Sequence, residues 1–269
     1  MKKIVNVLIF KFLTLLFFLS PAWGQADWRS HVLTLPASHV VLLGEQHDAS
    51  EHQTLAKLNL ALLVSSQRLA ALALEMVDEG FSTRDISPQA DEAMVRHALK
   101  WNDSGWPWQR YGSIVMLAVR AGVPVMGANL PRSEMSEVMK DTRWDSSVPE
   151  AVLKETRESM ISSHCGLLPE AQVPGMARIQ IARNERMAQT VNRLIQRDKT
   201  VVLLAGAEHV KKDRGVPLMM SADALTQVLV VWMHAGPIGS DGSSVADIVW
   251  QTPPVPFKDY CADLKRSLK

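Results

Sequence analysis

The chain has 269 residues, of which 29 are basic and 28 acidic, and 47% of the residues are hydrophobic. No basic run indicates a nucleic-acid partner, and no long acidic block indicates a disordered tail. The length allows one large domain or two small ones, with a sizeable hydrophobic core.

The first 24 residues are predicted to be a secretory signal peptide. Lys2 and Lys3 precede an apolar run that is almost unbroken Leu and Phe over residues 12–19, and small residues follow between 22 and 26. A basic start, a short apolar core and a small-residue exit are typical of exported proteins. The alternative is an uncleaved membrane anchor, which Lys11 disfavours. We therefore expect a periplasmic or secreted protein, without a lipid anchor because no lipobox cysteine is present.

Strand and helix patterns alternate along the rest of the chain, which we expect to form a single domain over residues 27–269. The first two strands flank a helix and form a βαβ unit, so they should run parallel. The predicted strands cover residues 40–43, 69–75, 123–127, 200–205 and 228–233, and the predicted helices cover residues 50–67, 91–100, 109–121, 133–139, 150–163, 175–196 and 221–225.

This order predicts an α/β fold with a largely parallel sheet, flanked by helices and carrying a helical insertion between the third and fourth strands. Pro124 favours an edge position for the third strand. The Gly-, Ser- and Pro-rich tail, residues 236–269, should wrap the surface. Ligands of such sheets bind outside the carboxyl ends of the strands.

Two of the predicted strands end in glutamate and histidine. Glu45 and His47 follow the first strand, Glu208 and His209 follow the fourth, and Glu75 ends the second. Glu45 and His47 lie two residues apart, so their side chains share one side of an extended segment. Imidazole and carboxylate groups that converge can bind a transition metal, act as an acid/base pair or ligate haem iron.

Each of these residues also has a structural interpretation that stays open at this point. Glu45 can accept backbone N–H groups at the start of the next helix, and His47 can be a partly buried histidine bonded to Glu45. Glu75 can form an ion pair with Arg132. His52 and His97 are expected on solvated helix surfaces.

Three further sites draw attention. Tyr111 is one of only two tyrosines and lies near Trp106 and Trp108, which together could cover a large apolar cofactor, although the pattern favours an amphipathic core tyrosine. His164 ends a predicted helix, where the helix dipole favours it, and neighbours Cys165. Cys165 and Cys261 are the only cysteines, and we expect them to form a disulfide in an oxidising compartment.

Several stretches together resemble the ChaN family of haem-binding lipoproteins, although the lipobox cysteine of a lipoprotein is missing. The matching stretches are LGEQHD at 43–48, LEM at 74–76, WPW at 106–108 with Tyr111, NLPR at 129–132, HCG at 164–166, AGAEHV at 205–210 and DRGVP at 213–217.

The resemblance implies an exported haem-binding protein for haem or iron uptake, with a fold related to the erythromycin esterase and Tiki groups. It implies iron ligation by a tyrosine, for which Tyr111 is the better candidate because Tyr260 falls in the surface tail. Haem stacked across a homodimer and a haem receptor or transport component are the partners it suggests. The cofactor-binding candidates are Tyr111, Glu45, His47, His164, Arg132 and His209, and the metal candidates are Tyr111, His47 and His209.

A hydrolase is the alternative hypothesis. Glu45 would orient His47 as a general base on water, with Glu75 as a further acid/base group, and a divalent metal could take part. No G-x-S-x-G elbow, P-loop or H-E-x-x-H motif occurs in the chain. We consider the haem-binding hypothesis stronger, and enzymatic activity undecided.

Overall fold

The computed structural model describes residues 40–238 and 244–267. The predicted signal peptide and the lead-in that follows it lie outside these residues. Within the described part, no helix is both long and apolar enough to cross a bilayer.

The fold is built on one six-stranded sheet in which every neighbouring pair of strands is parallel. The strand order is β3-β2-β4-β1-β5-β6, so the predicted α/β fold is confirmed and β3 lies at an edge, as Pro124 indicated. The strands are β1 (Val40–Glu45), β2 (Leu69–Asp78), β3 (Val125–Asn129), β4 (Thr200–Gly206), β5 (Val228–Ala235) and β6 (Ile248–Thr252).

Helices follow most of the strands, and the predicted helical insertion occupies the chain between β3 and β4. The α-helices are α1 (Ser50–Ser65), α2 (Glu92–Ala98), α3 (Trp108–Arg120), α4 (Met135–Lys140), α5 (Glu150–Ser163), α6 (Val173–Leu194), α7 (Ala207–Val210), α8 (Ala222–Leu225) and α9 (Tyr260–Ser267). Short 3-10 turns cover Arg132–Glu134, Thr142–Ser146, Glu170–Gln172 and Val216–Met219.

Helices cover both faces of the sheet, which explains why the central strands are nearly continuous apolar runs. Alternate residues of β1 enter different cores, because successive side chains of a strand point to opposite faces. Val41 and Leu43 pack with residues of α1 and α3, whereas Val40 and Leu42 pack with residues of α6. Both cores are therefore held by the strands whose ends carry the Glu and His residues.

The C-terminal tail departs from the prediction of a segment that only wraps the surface. Residues Ile248–Thr252 form β6, which adds a parallel strand to β5 and extends the sheet by one position. Its five residues, IVWQT, form a short strand signal between a Ser/Gly-rich stretch and a Pro-rich one, which explains why the pattern was missed. That residues 27–269 form one domain stays a prediction.

The predicted disulfide is present. Cys165, just beyond α5, is bonded to Cys261 in the first turn of α9, with their Cα atoms 5.6 Å apart. The bond joins positions 96 residues apart in sequence and fastens the C-terminal helix to the helical insertion.

Candidate functional site

A cleft of about 1280 Å³ opens at the carboxyl ends of β1, β2 and β4. This is the edge at which parallel sheets bind ligands. Its side walls combine apolar and basic groups. The apolar side chains include Met76, Phe81, Trp106, Met135, Trp232 and Met233, and the basic ones are Lys100, Arg110, Arg132, Arg183 and Lys211.

Glu45 lies at the end of β1 and is almost fully buried. Its Oε1 accepts a hydrogen bond from the Tyr111 hydroxyl at 2.7 Å and one from His47 Nδ1 at 2.9 Å. The side-chain amide of Gln53 donates to its Oε2. Three donors compensate the cost of burying the carboxylate. All three donors are side chains. The carboxylate of Glu45 is therefore held by them and not, as the structural alternative proposed, by backbone N–H groups at the start of the next helix.

His47 presents its free ring nitrogen to the cleft. Because an ionised carboxylate only accepts, Nδ1 is the donor to Glu45, and Nε2 is left facing Glu75 Oε2 at 3.9 Å. The ring stands edge-on to Trp106, with centroids 4.7 Å apart. Burial opposes protonation, but the hydrogen bond to Glu45 and the charges of Glu75, Glu45 and Asp48 outweigh it, so the pKa of His47 is raised. An imidazole held in this way can exchange a proton with a group in the cleft.

Glu75 forms the second carboxylate of the cleft floor. Its Oε2 accepts the backbone N–H of Gly206 at 2.6 Å, and its Oε1 lies 3.4 Å from His209 Nε2. Burial opposes ionisation, but the charge and hydrogen bond of His209, the charge of His47 and the Gly206 N–H lower the pKa of Glu75 well below its usual range. Glu75 thus faces the two histidines, and the alternative ion pair with Arg132 is not formed.

His209, on α7, is held by two amide side chains of α6. Its Nδ1 donates to Asn184 Oδ1 at 2.6 Å, and Gln180 Nε2 lies 3.1 Å from its Nε2. Gln180, Asn184 and Gln53 are not among the residues that the sequence predicted for the site. Asn184 could have been recognised from the sequence, because it lies three residues before Met187 and seven before Val191 and so shares the apolar side of α6. A buried amide needs a hydrogen-bond partner.

Gly206 lies close to both networks. A Cβ atom there would lie 2.9 Å from His47 Nε2 and 3.4 Å from Glu75 Oε2. The end of β4 therefore leaves just enough room for the imidazole and the carboxylate to face each other.

Of the predicted cofactor ligands, Tyr111 and His164 do not reach the cleft. Tyr111 is fully buried behind Glu45, as expected of a core tyrosine, so this arrangement disfavours the predicted iron ligation. His164 Nδ1 bonds the Met160 carbonyl at 2.8 Å, at the end of α5. Tyr260, by contrast, lines the cleft from the tail. The sequence had predicted a position for Tyr260 in the surface tail, away from the cleft.

The predicted position of His52 is wrong. His52 is fully buried rather than solvated, because its Nδ1 accepts the Gln46 N–H at 2.8 Å and its Nε2 bonds Thr252 Oγ1 at 3.0 Å. Burial lowers the pKa of His52 to about 4. His97 is exposed, as predicted.

The predicted metal ligands do not converge. His47 and His209 both face Glu75, but Tyr111 lies on the far side of Glu45. Across residues 40–238 and 244–267, no group of three or more His, Cys, Asp or Glu side chains is arranged to hold a metal ion.

The family is shown by a sequence match over most of the chain. Residues 32–220 match the model of the family described as haem-binding uptake, Tiki superfamily, ChaN. The chain belongs to this ChaN family. The cleft-floor residues Glu45, His47, Glu75 and His209 all fall inside the match, whereas Tyr260 and Cys261 lie beyond it.

One solved structure supports the same relationship. ChaN of Campylobacter jejuni, described in a structure of cofacial haem binding, is 25% identical, with a TM-score of 0.65 over 82% of this chain and 90% of that one. A succinoglycan biosynthesis protein and a Bacillus cereus protein are each 11% identical, with TM-scores of 0.41. The first match covers 78% of this chain and 68% of that one, and the second covers 81% and 74%, but both are too distant to bear on function. The comparison with curated proteins found no match.

Proposed function

We propose that the protein is an exported haem-binding protein that takes part in haem or iron uptake, and that the strand-end cleft holds the haem. The observation that carries this proposal is the ChaN family match over residues 32–220, which contains the whole cleft floor. A cleaved signal peptide would place the protein in the periplasm or outside the cell, where haem is captured before transport.

The size and chemistry of the cleft fit a porphyrin. Ligand sites commonly enclose roughly 300–1,000 Å³, and this cleft, at about 1280 Å³, exceeds that range. Phe81 and Trp106 offer flat apolar surface, and the flexible side chains of Met76 and Met135 adapt to a large ring. Basic side chains of the wall, such as Arg132, would pair with the propionates. Bound haem supplies an iron centre that takes an axial protein ligand.

We propose Tyr260, rather than Tyr111, as that ligand. It lines the cleft and is 50% exposed, whereas Tyr111 is fully buried. Its hydroxyl donates a hydrogen bond to Asp48, which favours the protonated phenol and raises the pKa of Tyr260. His47 Nε2, which faces the same cleft, is a second possible ligand for the iron.

The partners we propose follow from the family and its solved member. The Campylobacter jejuni ChaN structure is described as binding haem cofacially. A homodimer that stacks two haems between its copies, together with a receptor or transporter that takes the haem on, would fit an uptake role.

Hemin titration of the purified protein, followed by its Soret band, tests the proposal. We expect saturable binding, with a band position that reports oxygen or nitrogen ligation. Phe81→Ala should weaken binding, because Phe81 lines the cleft with 37% of its surface exposed. Phe257→Ala is the matched control, since Phe257 is 93% exposed and lies outside the lining. Absence of saturable binding, or equal effects of the two substitutions, would contradict the proposal.

A hydrolase remains a second candidate, supported by one specific arrangement. The buried carboxylate Glu45 fixes His47 Nδ1 and leaves Nε2 facing the cleft, which is the geometry of a general base oriented by a carboxylate. Glu75, at 3.9 Å from that nitrogen, would stabilise the imidazolium that forms.

Ester and peptide substrates would separate the two functions. A hydrolase should lose activity with His47→Ala and retain it with His97→Ala, because His97 lies exposed on α2. If no substrate is turned over while hemin binds, the hydrolase candidate is eliminated. If turnover is lost with His47→Ala and no hemin binds, the hydrolase replaces the haem-binding function.

A further inference from the structure

We infer that the Cys165–Cys261 disulfide is a positioning device for the cleft, which holds Tyr260 where it contacts the bound ligand. This inference rests on the proposed function for the identity of that ligand, but the positioning itself does not require haem. It assigns a role in the cleft to a C-terminal segment that lies beyond the family match at residues 32–220.

The first observation is the place of Tyr260 in the structure. Tyr260 directly precedes Cys261, and its hydroxyl donates to Asp48 in the loop that follows β1. Asp48 also accepts the Gln46 side-chain amide at 2.9 Å, and the neighbouring His47 carbonyl accepts from Arg110 Nη1 at 3.0 Å. The phenol therefore joins the same loop that carries the cleft imidazole.

The second observation is that the hydrophobic core does not hold the tail. None of the side chains described between residues 253 and 266 is buried, and Phe257 is almost wholly exposed. The ring of Tyr260 itself is half exposed, with Lys258 Nζ 4.6 Å from its centroid. The hydrogen bond from Tyr260 to Asp48 is exposed, and the Lys258 contact joins two residues of the tail itself, so neither contributes much free energy to fixing the segment. The covalent bond is therefore the strongest restraint on it.

The third observation is that Cys165, to which the tail is bonded, lies in a well hydrogen-bonded helix end. At the end of α5, the backbone N–H groups of Cys165 and Gly166 donate to the carbonyls of Ser162 and Ile161 at 2.9 Å each. His164 Nδ1 adds a bond to the Met160 carbonyl at 2.8 Å. The sulfur of Cys165 thus projects from a well-bonded helix end, and this gives His164 and Cys165 a structural role. Tethering a residue to a rigid anchor lowers the entropic cost of contacting a ligand.

Hydrogen exchange of the purified, ligand-free protein tests the positioning directly. We expect the amides of α9 to exchange about tenfold faster in Cys165→Ser/Cys261→Ser, because without the covalent bond the helix can separate from the end of α5 and unfold locally more often. Tyr260→Phe keeps the disulfide and should leave most of that protection in place. Exchange in β1 and β4 serves as the internal control for folding. Unchanged exchange of α9 in the double-serine protein would overturn the inference.

Hemin affinity then tests what the positioning does. Tyr260→Phe and the double-serine substitution should each weaken hemin binding about tenfold, which corresponds to the loss of one strong polar contact. Combined, they should weaken it no further, because the phenol is already displaced once the disulfide is absent. Fully additive effects, or wild-type affinity in the double-serine protein, would overturn the inference. If the wild-type protein binds no hemin at all, the proposed function fails, and the exchange measurement alone decides the positioning role.

Discussion

Tyr111 and Glu45 form a buried hydroxyl–carboxylate hydrogen bond of 2.7 Å beneath the cleft floor. Burial, followed by the charge and hydrogen bond of Glu45, raises the pKa of Tyr111 far above its usual range. The phenol is thus held as a proton donor to Glu45. The pair links α3 to the end of β1 and stabilises the carboxylate that orients His47.

Tyr111→Phe should destabilise the protein without changing the hemin spectrum. Glu45 would lose one of its three donors, which costs about 1–3 kcal/mol in the free energy of unfolding. Urea denaturation measures that loss. Tyr260→Phe is the control, because it should change the spectrum and alter stability by no more than about 0.5 kcal/mol. A changed spectrum with Tyr111→Phe alone would restore Tyr111 as the iron ligand.

The buried His52 should make the protein less stable in mild acid. Its pKa is about 4 in the folded protein and about 6.5 in the unfolded chain. The unfolded chain therefore binds more protons between these values, and the contribution of His52 to stability, complete above about pH 6.5, is lost as the pH falls towards 4. The free energy of unfolding, measured by urea titration across this range, should fall less steeply in His52→Asn.

His97→Asn is the matched control for that experiment, because His97 lies exposed on α2. The slope of stability against pH should be the same in this variant as in the unaltered protein. Equal slopes for His52→Asn and the unaltered protein would show that His52 is not the titrating group.

Glu75→Gln should lower the pKa of His47. The negative charge of Glu75 is one of the interactions that raise this pKa, and its Oε2 lies 3.9 Å from His47 Nε2. A raised folded-state pKa stabilises the protein fully below about pH 6.5, and this stabilisation is lost as the pH rises through the folded value. Nuclear magnetic resonance of the imidazole protons measures the change. Glu208→Gln should leave the pKa of His47 unchanged, and equal shifts in both variants would refute the coupling.

Arg132→Gln should weaken hemin binding and make it less sensitive to salt. Arg132 lines the cleft, and a lost charge-assisted contact to a propionate corresponds to about a three- to tenfold change in Kd. Raising the salt concentration screens the same contact, so the variant should respond less. Arg143→Gln, which removes an exposed arginine paired with Asp141, is the control. An unchanged Kd for Arg132→Gln would place the propionates elsewhere.

The sequence could predict the elements of the site that depend only on strand periodicity and parallel topology. Glu45 and His47 share one side of the chain because they lie two residues apart, and parallel strands bring Glu75 and His209 to the same edge. The buried strands were long apolar runs, so their ends were easy to locate. Predicting these features does not require knowing which side of each helix faces the sheet.

The features that the sequence could not predict depend on which side of each helix faces the sheet. Apolar periodicity predicts a buried face for α1, yet its buried positions include the polar residues His52, Gln53 and Asn59 as well as Leu60 and Leu63. A polar residue on a buried face looks solvated until its partners are known, and for His52 one partner is Thr252, 200 residues away.

The disulfide also determines what happens when the backbone is cut. Any single cleavage between Cys165 and Cys261 yields two fragments that remain joined, so Tyr260 stays attached to the rest of the protein. A protein exposed to extracellular proteases would migrate as one band in a non-reducing gel and as two bands after reduction. A nick in the last third of the chain need not release its C-terminal end.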